Sequence, residues 1–268
     1  MKYSFMSFSA PELELREMLQ LAQKLGYDGI EPRVGSGHRH GIELDMSAQA
    51  RKEAHKIAED SPVKLCCLST SVVLAGKDKL LQNMDDARRA IELCAQLGIP
   101  GVRIFGGKLD EGCSREAAVE QVARALETLS GEIGGENVSL NMETHDDWCD
   151  PKHVKAVMER CGGNHVGVNW DIMHPVLTAH VQVEEAFRLL APYICHVHIH
   201  DGDRPDGKTL VFLPIGEGKV DHTAAAAALL QSGYDGYLSG EWISWNHADH
   251  LALELAAMKR IEEKLCTR

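Results

Sequence analysis

The sequence predicts an α/β protein folded as a single-domain (β/α)8 TIM barrel, and three features of the chain support this prediction. Apolar, strand-like segments alternate with amphipathic, helix-like segments eight times along the 268 residues, and such barrels typically contain about 250 residues. One loop pattern recurs between a helical segment and the strand that follows it. No linker, low-complexity segment or block of charge divides residues 1–268, so we assign the chain to one domain.

The recurring loop has the form Gly-x-x-Gly and begins at Gly26, Gly98 and Gly233. Its first glycine suits the left-handed residue that ends a helix, and its second glycine precedes the next strand. Repeated helix-to-strand loops indicate repeated βα units. An open, doubly wound sheet is the structural alternative, but such sheets rarely contain eight units this regular.

Each predicted element follows from its hydrophobic pattern. Short apolar runs predict strands near residues 3–9, 28–34, 64–70, 101–107, 138–145, 165–171, 194–201 and 236–242. Longer amphipathic segments predict helices near residues 11–25, 47–59, 79–97, 115–131, 151–160, 182–190, 221–231 and 247–264.

Charge and composition exclude several classes of protein. The chain has 40 acidic and 28 basic residues and a formal net charge of -12, which would repel a phosphate backbone, so we expect no nucleic-acid partner. No apolar run approaches the roughly 18 residues that span a bilayer, and the first residues lack the pattern of a secretory signal, so we expect no membrane contact. The eight cysteines include no C-x-x-C pair and are typical of reduced thiols in a cytoplasmic protein.

The alternation of residues along each strand indicates which side chains face the barrel interior. Residues that face the helices must be apolar, so the polar residues between them point inward. In the strand near 194–201 the outward residues are Cys195, Val197 and Ile199, which directs His198 inward. The same rule places these residues inside: Glu31, Arg33, Arg103, Glu143, His145, Asn169, Asp171, His196, His198, His200 and Glu241.

Four of these inward residues lie near the carboxyl ends of their strands: Glu143, Asp171, His198 and Glu241, here called the central cluster. Barrel enzymes build their active sites at this end. Carboxylates gathered away from water repel one another and are costly to desolvate, so a divalent metal ion is the expected compensation. An oxygen-rich site with one imidazole favours Mn2+, with Mg2+, Co2+ and Zn2+ as alternatives.

Two inward residues near the cluster have a structural interpretation. We expect Glu31 to pair with an inward arginine, either Arg33 or Arg103, because a single buried carboxylate needs a partner. His196 lies one step deeper in its strand than the ligand histidine, and we interpret it as a hydrogen-bonded core residue.

Two loops carry motifs with more than one interpretation. His38 and His40 form a weak metal-binding motif, and we favour the alternative that they belong to a loop covering the substrate. Residues 216–221 could cradle a phosphate after the seventh strand, but we favour Asp221 as the N-cap of the next helix.

Six segments of the chain carry a resemblance to a known superfamily. They are residues 26–31, 142–145, 171–174, 196–201, 216–221 and 236–241. Together they resemble the xylose isomerase-like TIM barrels, a group of sugar phosphate isomerases and epimerases, over essentially residues 1–268, and most of all the ketose 3-epimerases. The resemblance implies one divalent metal bound by the central cluster, and substrate contacts by His174 and Arg204. His200 stands where many relatives carry lysine, a difference that concerns the substrate rather than the metal.

The expected activity is that of a metal-dependent isomerase or epimerase acting on a sugar or sugar phosphate. Such an enzyme removes a proton from a carbon next to a carbonyl, and the metal stabilises the enediolate that forms. If Glu143 and Glu241 lie on opposite faces of the substrate, one removes the proton and the other returns it, which inverts the centre. The residues expected to contact the carbohydrate are His174, Arg204, His145, Arg33, Glu31, Arg103 and His200.

Four other functions are alternatives to this one. The same residues suit a lyase or dehydratase that expels a group from a keto-sugar or related polyol. A hydride-shift isomerase normally uses two metals and more carboxylates than the sequence offers. The net charge of -12 disfavours an endonuclease acting at abasic sites, and retention of both catalytic glutamates disfavours a non-catalytic sugar-binding barrel. The sequence leaves open the substrate, its phosphorylation and the formation of a homo-oligomer.

Overall fold

Parallel strands form the inner layer of the molecule. The computed structural model describes residues 1–135 and 137–267. Its strands are β1 (Lys2–Met6), β2 (Gly29–Glu31), β3 (Lys64–Leu65), β4 (Leu68–Val73), β5 (Gly101–Phe105), β6 (Ser139–Glu143), β7 (Val166–Asp171), β8 (Ile194–Ile199), β9 (Asp201–Asp203), β10 (Val211–Leu213) and β11 (Tyr237–Gly240). All except β9 and β10 form one parallel sheet with the order β3-β2-β1-β11-β8-β7-β6-β5-β4. β9 and β10 form a separate antiparallel hairpin.

The sheet closes into a barrel because its two ends, β3 and β4, belong to one stretch of chain. The third predicted strand, 64–70, is divided at residues 66–67, and a bridge between Arg33 and Ser69 joins the end of β2 to β4. Pro32 has no N–H to donate here, and its carbonyl accepts the Ser69 N–H at 2.9 Å. The predicted (β/α)8 barrel is thereby confirmed.

Helices cover the outside of the barrel. They are α1 (Leu15–Leu25), α2 (Ala48–Glu59), α3 (Leu80–Leu97), α4 (Arg115–Glu132), α5 (Pro151–Arg160), α6 (Met173–Ala179), α7 (Val183–Leu190), α8 (His222–Gln231) and α9 (His247–Cys266). The sequence pattern predicts all of these except α6, whose 7 residues are too few to show a helical repeat. No helix within the described ranges is both long and apolar enough to cross a membrane.

The apolar residues of the strands pack against the helices, as their alternation predicts. Val168 and Trp170 of β7 are completely buried, and the Trp170 ring packs against Phe187 of α7 with ring centroids 5.8 Å apart. The intervening residues Asn169 and Asp171 therefore lie on the inner face of β7. This alternation directs the polar side chains of the barrel toward its axis.

Left-handed glycines end the helices that precede β2, β5 and β11. The φ angles of Gly26, Gly98 and Gly233 are 87°, 70° and 75°, a conformation that side chains with a Cβ rarely adopt. The predicted helix-to-strand loops are therefore confirmed, and they fix the residue at which each of these strands begins.

Candidate active site

The central cluster forms at the carboxyl ends of the barrel strands. Glu143 and Asp171 are the last residues of β6 and β7, His198 lies in β8, and Glu241 directly follows β11. Each residue offers one atom of the kind that binds metals, and the four atoms lie within 4.8 Å of one another. All four side chains are buried. The structure therefore brings together the four residues that the strand pattern singles out.

Three carboxylate oxygens of the central cluster are buried without a hydrogen bond: Glu143 Oε2, Asp171 Oδ2 and Glu241 Oε2. His198 Nδ1 faces the same space, 3.2 Å from Glu143 Oε1 and 3.3 Å from Glu241 Oε2. The basic nitrogens beside these oxygens are Arg103 Nε, His200 Nε2 and His198 Nδ1, at 3.2, 2.7 and 3.3 Å. Three carboxylates gathered away from water nevertheless repel one another and need a compensating positive charge. Three carboxylates and one imidazole form a donor set that fits a divalent cation.

The electrostatic surroundings keep the two glutamates of the central cluster ionised. Burial raises the pKa of Glu143, but the Arg103 guanidinium and His198 outweigh burial and lower it to about 2. Burial also raises the pKa of Glu241, which the proximity of His198 lowers to about 2. For His198, burial lowers the pKa, and the carboxylates of Glu31 and Glu143 raise it well above the usual value. Both glutamates are therefore ionised at neutral pH.

Glu31 pairs with histidines rather than with an arginine, so the expected pairing with Arg33 or Arg103 is wrong. His196 Nε2 lies 2.8 Å from Glu31 Oε2, and His198 Nε2 lies 3.1 Å from Glu31 Oε1. Strand alternation shows that these side chains point inward but not at which depth, and Glu31 lies level with the two histidines. Glu31 is completely buried, and both of its oxygens have partners within the barrel. His196 is buried and hydrogen-bonded, as expected of a core residue.

Arg103 contacts Glu143 instead of Glu31. Its Nε lies 3.2 Å from Glu143 Oε2, and its Nη1 donates to the Thr70 carbonyl at 2.9 Å. The guanidinium also stacks on the Phe105 ring, 4.0 Å from the ring centroid. These contacts fix a positive charge directly beside one glutamate of the central cluster.

A row of rings lines one side of the central cluster. Its members, in order of contact, are Phe105, His145, His174, His200 and Phe212, with neighbouring ring centroids 4.8, 4.4, 5.4 and 5.6 Å apart. His200 Nε2 also lies 2.7 Å from Asp171 Oδ2. The three histidines are sequence-predicted site residues, whereas Phe105 and Phe212 are not. Phe212 comes from the β9–β10 hairpin, which no periodic pattern in the sequence predicts.

The histidines of this row differ in charge. Burial lowers the pKa of His145, but the Asp146 carboxylate, 3.2 Å from Nδ1, outweighs burial and raises it to about 9. Burial lowers the pKa of His174 below its usual value. The row therefore presents a cationic ring beside a neutral one at neutral pH.

The two remaining arginines expected to contact substrate have other partners in the structure. Arg33 donates to the Val34 carbonyl and to Ser71 Oγ. Arg204 donates to the Lys208 carbonyl within the β9–β10 hairpin. Neither hydrogen-bonds to the central cluster within the part of the chain that the structure describes.

Residues 216–220 do not form a phosphate cradle. The backbone N–H groups of Gly216, Gly218 and Val220 all donate to the Asp201 carboxylate, at 2.9 to 3.1 Å. Asp221 Oδ1 accepts the N–H of Ala224 at 2.9 Å, so the expected N-cap is confirmed. The phosphate alternative is wrong because a buried carboxylate already occupies these amides.

His38 and His40 do not contribute to a group of metal-binding side chains among the described residues. His38 Nδ1 lies 2.9 Å from Ser7 Oγ, and His40 Nδ1 accepts the Ile42 N–H at 3.0 Å. The Nδ1 atom of each ring is engaged locally, and the weak metal motif finds no support from a third ligand among the described residues.

The sequence matches one family model and relatives that are named L-ribulose-5-phosphate 3-epimerases. The model of the xylose isomerase-like TIM barrel family matches residues 19–261. The L-ribulose-5-phosphate 3-epimerase of Salmonella paratyphi C is 27% identical in an alignment 253 residues long. The match covers 84% of this chain and 81% of that protein.

Solved structures resemble the barrel over nearly its whole length. L-ribulose 3-epimerase has a TM-score of 0.79 at 19% identity and covers 100% of this chain and 96% of its own. The probable 3-DHS dehydratase AsbF from Bacillus anthracis has a TM-score of 0.80 at 17% identity, covering 97% and 99%. The IOLI protein with a bound zinc atom has a TM-score of 0.80 at 19% identity, covering 100% and 98%. At these identities the likeness shows the shared fold.

Proposed function

The chain belongs to the xylose isomerase-like TIM barrel family, and from this premise we propose that it is a metal-dependent enzyme that epimerises a ketose or a ketose phosphate. The central cluster is the observation that carries the proposal. It combines two buried glutamates with Asp171 and His198, and one potential ligand atom from each of the four residues lies within 4.8 Å of the others. The names of the 3-epimerases that resemble the chain support a small carbohydrate as the substrate.

The two glutamates reach the cluster from different sides of the barrel. Glu143 ends β6 and Glu241 follows β11, and β7 and β8 lie between these strands in the sheet. A carbon held between the two carboxylates would present one face to each of them. Inversion of a stereocentre next to a carbonyl needs this arrangement, because the proton must leave from one face and return to the other.

The central cluster would hold one divalent cation, with Mn2+ as the first choice and Mg2+, Co2+ and Zn2+ as alternatives. Bound there, the cation would act as a Lewis acid for the negative charge that develops when the carbon loses its proton. The zinc atom in the IOLI structure supports a divalent ion in this fold.

Residues around the cluster would orient the substrate and its protons. Glu143 and Glu241 exchange the acid and base roles, and Arg103 holds Glu143 in place through the contact at 3.2 Å. His174, whose pKa burial lowers, can donate one hydrogen bond as a neutral imidazole to a substrate oxygen. Protonated His145 places a positive charge at the rim, where an oxygen anion would be attracted.

A dehydratase is the second candidate, because AsbF shares this fold at a TM-score of 0.80. In that reaction, one glutamate would remove the proton next to the carbonyl, and a hydroxyl would leave from the neighbouring carbon. The product would be an unsaturated ketone instead of a diastereomer of the substrate.

Proton NMR of product mixtures tests the proposal. The chain, loaded with Mn2+ and then freed of excess ion, is incubated with ketopentoses, ketohexoses and their terminal phosphates. We expect a diastereomer of one of these substrates from the wild type, and none from Glu143→Gln or Glu241→Gln. Glu254→Gln is the matched control, because Glu254 is a buried glutamate whose Oε2 accepts the Ile215 N–H at 3.0 Å, away from the cluster. An unsaturated ketone would favour the dehydratase. Full epimerase activity of either cluster variant would contradict the two-glutamate epimerase, and full activity of both variants would contradict the dehydratase as well.

A further inference from the structure

A buried carboxylate lies behind the histidine of the central cluster. His198 presents Nδ1 to Glu143 and Glu241, while its Nε2 lies 3.1 and 3.3 Å from the two oxygens of Glu31. Both residues are completely buried, so water does not compete for these contacts. The two nitrogens of the ring therefore have different partners on opposite sides.

The hydrogen bonds around Glu31 place a hydrogen on Nε2 of His198. A carboxylate can only accept, so each of its close neighbours must donate. Ser69 Oγ donates to Oε1, and His196 Nε2 lies 2.8 Å from Oε2. His198 Nε2 must likewise carry a hydrogen in order to contact this carboxylate favourably.

The other nitrogen of the ring, Nδ1, faces the space that the central cluster encloses. It lies 3.1 Å from the side-chain amide of Asn169, 3.2 Å from Glu143 Oε1 and 3.3 Å from Glu241 Oε2. Carboxylates can only accept, so Nδ1 also carries a hydrogen in the cation-free ring. A cation bound by the central cluster would take the place of that hydrogen, whereas Nε2 keeps its own toward Glu31.

We propose that Glu31 is a positioning residue that holds His198 with its proton on Nε2 and its Nδ1 lone pair directed at the cation of the central cluster. The inference rests on the proposed function, because it assigns a role toward the ion that the cluster would bind. Carboxylates that accept a hydrogen bond from a metal-binding histidine fix the ring orientation and make it a better ligand.

The contacts of Glu31 extend to the other side of the cluster. Ser69 Oγ, which donates to Glu31, accepts a hydrogen bond from Arg103 Nε at 3.3 Å, and the same Nε lies 3.2 Å from Glu143 Oε2. Glu31 thus supports His198 directly and is connected to Glu143 through two side chains. Replacement of Glu31 should therefore affect mainly the orientation of the His198 imidazole.

Titration with Mn2+ followed by EPR of the free ion tests the proposal. Loss of such a supporting carboxylate typically weakens metal binding by about 10- to 100-fold, and we expect this for Glu31→Gln, which keeps the size of the side chain. Glu254→Gln is the matched control and should bind Mn2+ as the wild type does. Turnover of Glu31→Gln should recover as Mn2+ is raised to saturation, because the acid and base residues are intact. Wild-type affinity in a folded Glu31→Gln protein would overturn the proposal.

Nitrogen NMR of the wild type provides a measurement that does not depend on the variant. In protein labelled with 15N-histidine and loaded with diamagnetic Zn2+, the proton of the His198 ring should reside on Nε2. A proton on Nδ1 would overturn the proposal, even if Glu31→Gln failed to fold. If the wild type bound neither Mn2+ nor Zn2+, the proposed function would fail as well. If the wild type bound Mn2+ and Glu31→Gln bound it with the same affinity, only the positioning role would be contradicted.

Discussion

Two carboxylates of the central cluster are held by nitrogen groups from outside the cluster. The backbone N–H of His174 donates to Asp171 Oδ1 at 2.9 Å, and His200 Nε2 lies 2.7 Å from Asp171 Oδ2. Arg103 lies beside Glu143 at 3.2 Å. Such contacts fix the side chains before any ligand arrives, and a preorganised site loses little further freedom when it binds.

Removal of one ligand from the cluster should abolish metal binding. We expect Asp171→Ala and His198→Ala to purify with far less divalent ion than the wild type, since each variant removes one of four donor atoms that lie within 4.8 Å. Elemental analysis of dialysed protein provides the measurement. Asp235→Ala and His55→Ala are matched controls on the exposed surface. Metal content that stays at the wild-type level in both cluster variants would show that the ligands are misassigned.

The contact between His145 and Asp146 should give a pH-dependent contribution to stability. The distance is 3.2 Å, and it raises the pKa of His145 to about 9, above the 6.5 of an unfolded chain. The stabilisation is therefore complete below about pH 6.5 and is lost as the pH rises through about 9. Asp146 has a φ of 49°, which asparagine also tolerates.

Urea unfolding of cation-free protein measures this contribution. Asp146→Asn should be less stable than the wild type at pH 6, by on the order of 1 kcal/mol for a partly exposed pair. The difference should shrink by pH 10. A difference that stayed constant between pH 6 and pH 10 would mean that the His145 charge contributes nothing to stability.

At the scale of elements, the end of β11 is set by close packing. A Cβ at Gly240 would overlap the ring of Trp242, and Trp242 is almost completely buried. Glu241 is the one residue between them. The small residue at the end of β11 therefore allows the tryptophan to pack and places the glutamate of the cluster.

Gly240→Ala should destabilise the fold and disturb the cluster together. Overpacking of this kind costs about 1–3 kcal/mol, and the displaced Glu241 should weaken Mn2+ binding. Gly131→Ala is the matched control, because nothing lies within 4 Å of a Cβ at this position of α4. It should be neutral or stabilising by up to about 1 kcal/mol. Equal free energies of unfolding for the two variants would contradict the packing argument.

Regular elements could be predicted from the sequence, whereas the irregular ones could not. Alternation of polar and apolar residues identifies the inner face of β6, β7 and β8, because one register fixes all the side chains of a strand. The division of the third strand follows from pairing with the neighbouring segment around Pro32, which a local pattern does not contain. The short helix α6 and the β9–β10 hairpin likewise depend on contacts with other parts of the barrel.

At the scale of the whole molecule, closure of the barrel brings the central cluster together. Parallel strands in one closed sheet bring their carboxyl ends to the same end of the barrel, so Glu143 and Glu241 meet although they are far apart in the sequence. This convergence follows from the fold and could be predicted. The depth of each inward side chain could not, and for that reason the sequence suggested an arginine for Glu31 where the structure has His196 and His198.

In the proposed reaction, two glutamates act on one carbon of the substrate from opposite faces. The most direct test is to incubate the Mn2+-loaded chain with its ketose substrate in D2O and to locate the label by NMR and mass spectrometry. We expect one solvent deuterium at the inverted carbon, since the group that removes the proton differs from the group that returns one. An inverted carbon without deuterium, or wild-type epimerisation by Glu241→Gln, would contradict the two-base mechanism.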